Sequence, residues 1–168
     1  MTASQTDQAG PTSADGVALF PTVAPSPDHP GWTTYDFPGS NRYNDAVIGS
    51  ALVRVEDDRT CRVRYHPGIH LNNQMGQLHG GAILGMIDVG IFAALYFVVD
   101  HQTGGVTLDL ATQFLAAGRG EIHTDIVLEV MRNTRNLVFV RGTVEQEPGV
   151  AIAAFSATIR KIDLAKGR

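Results

Sequence analysis

The longest apolar stretch of the chain covers residues 82–99, AILGMIDVGIFAALYFVV, and Asp88 is its only charged residue. Apolar side chains fall on every side of a helix built through this stretch. The pattern therefore predicts a helix over about 80–99 that must be covered all round. By length alone the run matches a membrane span. A charge near its middle, glycines at Gly85 and Gly90, and the lack of a second such run favour a buried helix of a globular domain.

Ahead of the helix, 46–56 and 60–66 read as two strands joined by Asp57-Asp58-Arg59. The loop 67–76 carries the turn signals Pro67-Gly68 and Asn72-Asn73. Gly104-Gly105 ends the helical segment. Strands are then expected over 106–115, 121–132, 137–147 and 150–162. The second of these alternates clearly, with Ile122, Thr124, Ile126, Leu128 and Val130 on one face. Short turns between the four predict hairpins in succession and antiparallel pairing. The expected class is α+β, a long central helix against a six-stranded antiparallel sheet. One sheet covers one side of such a helix. The apolar far side predicts a second copy of the chain there, with the helices near the interface.

Composition divides the chain. Residues 1–30 are rich in Ser, Thr, Ala, Gly and Pro, with Pro11, Pro21, Pro25, Pro27 and Pro30 among them. The expected organisation is an N-terminal tail over 1–43, its end docked by Trp32, Tyr35 and Phe37, and one domain over 44–168. Hydrophobic residues make up 43% of the 168, enough for a true core. The net charge of −4 and the lack of a basic block argue against a nucleic-acid partner. Met1-Thr2-Ala3-Ser4 has neither a basic nor an apolar leader pattern. The single cysteine, Cys61, has no internal partner for a disulfide, and a cytoplasmic location is expected.

Candidate chemistry concentrates at the start of the helix. Leu78-His79-Gly80-Gly81 introduces it, and Asn73 lies six residues before His79. Amides in a first helical turn lack partners and sit at the positive end of the helix dipole. Glycine allows a ligand close approach. Gly80 and Gly81 thus suit a carbonyl that becomes an oxyanion, or form a plain tight turn. His79 either orients a substrate or braces the loop. Asn73 either donates a hydrogen bond or forms a turn, with Asn72 as its rival. A carboxylate in apolar surroundings is costly unless paired, which makes Asp88 a candidate base or nucleophile, or one half of a core ion pair. Gly81 and Asp88 are seven residues apart, roughly 10 Å along a helix axis. One helix does not bring both to a single carbonyl. Two antiparallel helices from two subunits do.

Asn73, Gly76, Leu78-His79-Gly80-Gly81 and Asp88, followed by Gly105-Val106-Thr107-Leu108-Asp109, resemble the PaaI-like acyl-CoA thioesterases of the hotdog fold. The resemblance covers about 45–162. It implies a central helix wrapped by a six-stranded sheet and hydrolysis of an acyl-CoA to a carboxylate and free coenzyme A. It also implies a homodimer or a dimer of dimers, with no cofactor. By that resemblance Asp88 activates water or attacks the thioester, and the Gly80 amide polarises its carbonyl. Asn73 and His79 support carbonyl and water, and the Thr107 hydroxyl orients the acid, a residue that strand propensity alone explains as β-branched filling. Gly81, Arg132 and Arg135 are carried as substrate-binding candidates, the arginines for phosphate; each arginine is also explained as ordinary solvated charge.

Other chemistries are weaker. His66 and His70 are separated by Pro67-Gly68, and no metal site is expected. There is no Gly-x-Ser-x-Gly elbow. The alternatives kept are a hotdog dehydratase or hydratase on acyl thioesters, and a non-catalytic acyl-CoA binding protein.

Overall fold

A computed structural model describes residues 12, 13, 16, 18–101 and 103–163. Strands β1 (Thr22–Pro25), β2 (Thr33–Asp36), β3 (Ala51–Val55) and β4 (Thr60–Tyr65) precede a single long helix, α1 (Gly80–Val98). Strands β5 (Thr103–Phe114), β6 (Thr124–Asn133), β7 (Leu137–Glu147) and β8 (Val150–Asp163) follow it. All eight form one antiparallel sheet in the order β1-β2-β3-β4-β6-β7-β8-β5.

Alternation decides the faces. In β4, Cys61, Val63 and Tyr65 point into the core while Arg62 and Arg64 point out. In β6, Thr124, Ile126, Leu128 and Val130 are buried. These side chains meet Ile83, Met86, Ile87, Ile91 and Ala94 of α1 in one hydrophobic cluster. The helix is long and apolar enough to cross a membrane, yet 61% of its most apolar window is buried inside this fold. The outer face of the sheet is ionic. Arg64 grips Asp125 at 2.7 and 2.8 Å, and Arg62 reaches Glu56, Asp125 and Glu145.

Three expectations differ from this architecture. The sheet has eight strands rather than six, because two lie in the segment 1–43 read as a tail. Thr33-Thr34-Tyr35-Asp36 pairs with β3, and Trp32 and Tyr35 are buried. Proline composition hides this, but β1 is an outer edge strand, where a terminal Pro25 costs no ladder bond. Next, the strand expected over 46–56 begins at Ala51. A turn of π-helix, Asn44–Ile48, comes before it and ends at Gly49, whose φ of +86° favours glycine. Finally, β5 and β6 are not a hairpin. β6 pairs with β4 and β5 with β8, which leaves β5 at the sheet edge. Alternation specifies the face a strand buries, not its neighbour.

The chain itself covers much of the helix side that the sheet leaves bare. Ile48 of the π-turn and Tyr35 of β2 join the core cluster, with Phe37 packed against it. What stays least covered is a stripe through Gly81, Leu84 and Asp88, spaced for one helix face.

Candidate active site

The loop before α1 is built by Asn73. Its side-chain Oδ1 accepts hydrogen bonds from Met75 N–H at 2.8 Å and Gln77 N–H at 3.1 Å. Gly76 completes the turn in the left-handed region at φ +73°. The turn reading of Asn73 is thus the one seen in the structure, and only its Nδ2 remains to donate outward. Behind the loop, Leu78 N–H donates to Gly118 O at 2.8 Å and His79 N–H to Leu71 O at 2.9 Å. Asn72 lies against Gly120, with its Oδ1 buried and lacking a hydrogen bond.

His79 is the N-cap of α1. Its Nδ1 accepts from Gly81 N–H at 2.9 Å, so the neutral ring carries its proton on Nε2. The Gly81 amide is thus already used inside the protein. Ala82 and Ile83 donate to the His79 carbonyl at 2.9 and 3.0 Å. Gly80 N–H is left without a partner among the described residues, at the positive end of the helix dipole. A residue missed in the sequence, Phe114 of β5, lies over Gly80. A Cβ at position 80 would be 3.2 Å from its ring. Nothing in the spacing of β5 marks Phe114 as a neighbour of the helix start, because the bulge described next changes which residues face inward.

Asp88 is half-buried, and Thr107 Oγ1 donates to its Oδ1 at 2.6 Å. No cation pairs with Asp88 among the described residues, which removes the core ion pair as its explanation, and Oδ2 keeps its lone pairs free. A β-bulge lies between Thr107 and Asp109, opposite Ile159 and Thr158. Bulges re-aim side chains. Here Gly105 and Thr107 face the helix before the bulge, and Leu110, Thr112 and Phe114 do so after it. The Tyr65 phenol is wholly buried and held above its ordinary value, by burial first, then by Tyr35, then by the Asp88 charge.

The strand and helix run antiparallel, with Phe114 at Gly80, Thr107 at Asp88 and Gly105 at Phe92. Gly80 and Asp88 of one chain are therefore roughly 12 Å apart along the axis. Asn73, His79 and Gly80 gather at one end, Asp88 and Thr107 in the middle. Arg132 and Arg135 are exposed at the β6–β7 turn, without an ion pair among the described residues and out of contact with Asp88. A cavity of about 230 Å³ opens beside Val89, Phe92 and Tyr96. The chemistry on offer is a carboxylate oriented by one hydroxyl, and a separate unpaired amide at a helix N-terminus.

Residues 75–153 match the family model of the thioesterase superfamily. No curated protein matches the chain. Among solved structures, zebrafish thioesterase superfamily member 2 is similar, with a TM-score of 0.63 and 20% identity over 73% of this chain and 88% of that one. A hypothetical thioesterase with coenzyme A from Streptococcus pneumoniae has a TM-score of 0.57 and 19% identity, covering 66% and 86%. The E. coli PaaI protein from the phenylacetic acid degradation operon has a TM-score of 0.55 and 14% identity, covering 64% and 80%. Residues 75–153, from the helix-start loop through α1, β5, β6 and β7 to the start of β8, match the thioesterase superfamily, and the chain has the hotdog fold.

Proposed function

We propose that this protein is an acyl-CoA thioesterase whose site is shared between two subunits. The observation that carries the reading is the Asp88 carboxylate, aligned by Thr107 at 2.6 Å on the least covered stripe of a buried helix. Asp88 takes a proton from water as the water oxygen attacks the thioester carbonyl, or attacks that carbonyl itself to give an anhydride that water then opens. The negative charge on the carbonyl oxygen is held by the Gly80 N–H and the helix dipole. The carbon–sulfur bond breaks, the thiolate takes up a proton, and a carboxylate and coenzyme A leave. Asn73 Nδ2 and His79 Nε2 are the remaining donors at the helix start. Arg132 and Arg135 are available to the phosphates of coenzyme A.

The axial gap between Gly80 and Asp88 supports a homodimer. Antiparallel packing of two helices over the Gly81, Leu84 and Asp88 stripe sets Gly80 of the partner subunit beside Asp88. The edge strand β5 supports it too, with Val106 and Leu108 exposed and no strand beyond it among the described residues. Two such dimers pair into a tetramer in the same reading. A cytoplasmic location belongs to the proposal, in keeping with a lone cysteine. Burial pushes the Cys61 thiol up to about 12 and so keeps it unreactive. His79 as a helix cap weighs against a hydratase, which needs a histidine and an acid on the same carbon.

Thiol release from an acyl-CoA panel tests the reading. Asp88→Asn is expected to lose at least about 100-fold in kcat, as for loss of a positioned general base, while still binding ligand. Equal rates for the variant and the wild-type protein overturn it. Mixing chains damaged at Gly80 with chains damaged at Asp88 is expected to restore part of the activity.

A further inference from the structure

The cavity beside Val89 and Phe92 is lined on one side by a part of the chain outside the family match, since the matched region begins at residue 75. Phe92 follows Asp88 by one helical turn, about 6 Å along and on the same face. Gly105 precedes Thr107 by two residues on the same face of β5, and a Cβ there would sit 3.0 Å from the Phe92 ring. The pair Thr107–Asp88 is therefore followed directly by the pair Gly105–Phe92, and the cavity lies on the far side of the second pair. Phe92 and Tyr96 form its helix wall, and the opposite wall is Phe20, Tyr35 and Phe37.

That opposite wall is anchored. Tyr35 is a β2 residue buried to 8% exposure, edge-on to Phe37 at 5.6 Å and to Tyr96 at 5.9 Å. β2 is itself bonded to β3 of the domain sheet. The volume, about 230 Å³, is below the ~300–1,000 Å³ of sites for drug-sized ligands. An acyl group whose carbonyl meets Asp88 has two directions along the helix. Toward Leu84 it meets the face that the partner helix covers in the proposed dimer, and toward Phe92 it meets this cavity, whose lining carries Phe20, Phe37, Phe92 and Tyr96.

We propose that the N-terminal arm, residues 19–37, is the end wall of the acyl pocket and restricts the substrate to compact acyl groups. The inference rests on the thioesterase reading for its turnover test. Phe20 and Phe37 are the specificity-determining side chains. The wall is made by this chain's own arm, so the size limit is set by residues that contribute nothing to the reacting atoms.

The test is a series of straight-chain acyl-CoAs from acetyl to palmitoyl, with one ring-bearing acyl-CoA. It is assayed for thiol release with wild type, Phe20→Ala, Phe37→Ala and Phe20→Trp, with calorimetric binding of the non-hydrolysable thioether analogues alongside. Wild type is expected to prefer the short and ring-bearing members. Either alanine variant is expected to raise the ratio of twelve-carbon to four-carbon kcat/KM by about tenfold or more, the scale of pocket methylenes. Phe20→Trp is expected to lower that ratio, which keeps the test open if an alanine variant fails to fold. Unchanged ratios in active variants overturn the arm's role and leave the thioesterase reading standing. No thiol release by wild type overturns the thioesterase reading. The binding series then decides the arm's role alone: a length preference relaxed by the alanine variants upholds it, and equal binding of all lengths overturns it.

Discussion

Thr107 donates its hydroxyl proton to Asp88 across 2.6 Å, tying edge strand β5 to the only acid of the central helix. A hydrogen bond to a charged group is worth about 1.5–3 kcal/mol. Thr107→Val is therefore expected to lower kcat by roughly 10–100-fold with little change in KM, since it frees the carboxylate to rotate. Thr107→Ser keeps the hydroxyl and is expected to retain most of the rate. Steady-state thiol release on the two variants decides this, and a serine variant as impaired as the valine one contradicts it.

Gly118 supports the loop that leads into the helix. Its carbonyl accepts from Leu78 N–H, and a Cβ there would meet Ile152 Cδ1 at 2.9 Å and Leu78 Cβ at 3.2 Å. Gly118→Ala is expected to push Leu78 and shift the His79 cap. Overpacking of this kind costs about 1–3 kcal/mol. Activity is expected to fall further than the melting temperature alone explains, measured on fully folded protein.

Acid stability is expected to follow Asp125. Burial alone would raise its carboxyl, but hydrogen bonds and charge from Arg64, then Arg62, hold it below the usual carboxylate range. The unfolded chain therefore takes up the proton first as pH falls. The stabilisation is complete above the unfolded value, near 4, and is lost as pH drops through the folded value. Asp125→Asn takes the carboxylate charge from Arg64 while Arg62 keeps Glu56 and Glu145, and it is expected to cost about 2 kcal/mol at neutral pH, the scale of hydrogen bonds to a charged group. Urea titrations of both proteins should converge as the pH is lowered below 4; a constant gap contradicts the assignment.

Trp32 holds the arm to the domain. It is 7% exposed, and the guanidinium groups of Arg54 and Arg64 lie over its ring at 4.7 and 4.6 Å. Trp32→Ala is expected to cost about 3 kcal/mol. Hydrogen exchange is expected to rise in β1 and β2 and stay slow in β6 to β8. Trp32→Phe keeps a π face under both arginines and is expected to recover part of the loss.

Local chemistry made some features readable in advance. The helix Gly80–Val98 agrees closely with the apolar run, and the alternating segments became β4, β6, β7 and β8 within a few residues. Asp88 stands out because a lone acid in such a run has few structural explanations. Thr107 was legible only through a family resemblance, since its partner is nineteen residues away and strand propensity accounts for a threonine there. Asn73 and Gly81 carried two meanings each. The structure employs the Asn73 carboxamide oxygen and the Gly81 amide in holding the loop and the cap.

The sequence by itself determined the period of each element, the face it buries and the single acid of the helix. These follow from neighbours a few residues apart, where spacing alone decides what shares a face. The tertiary structure decided which strands pair, that the proline-rich arm joins the sheet, and that Phe114 covers Gly80 while Phe37 faces Phe92 across a cavity. Those outcomes depend on energies between segments far apart in the chain, and one bulge at Thr107 was enough to exchange the inward and outward residues of β5.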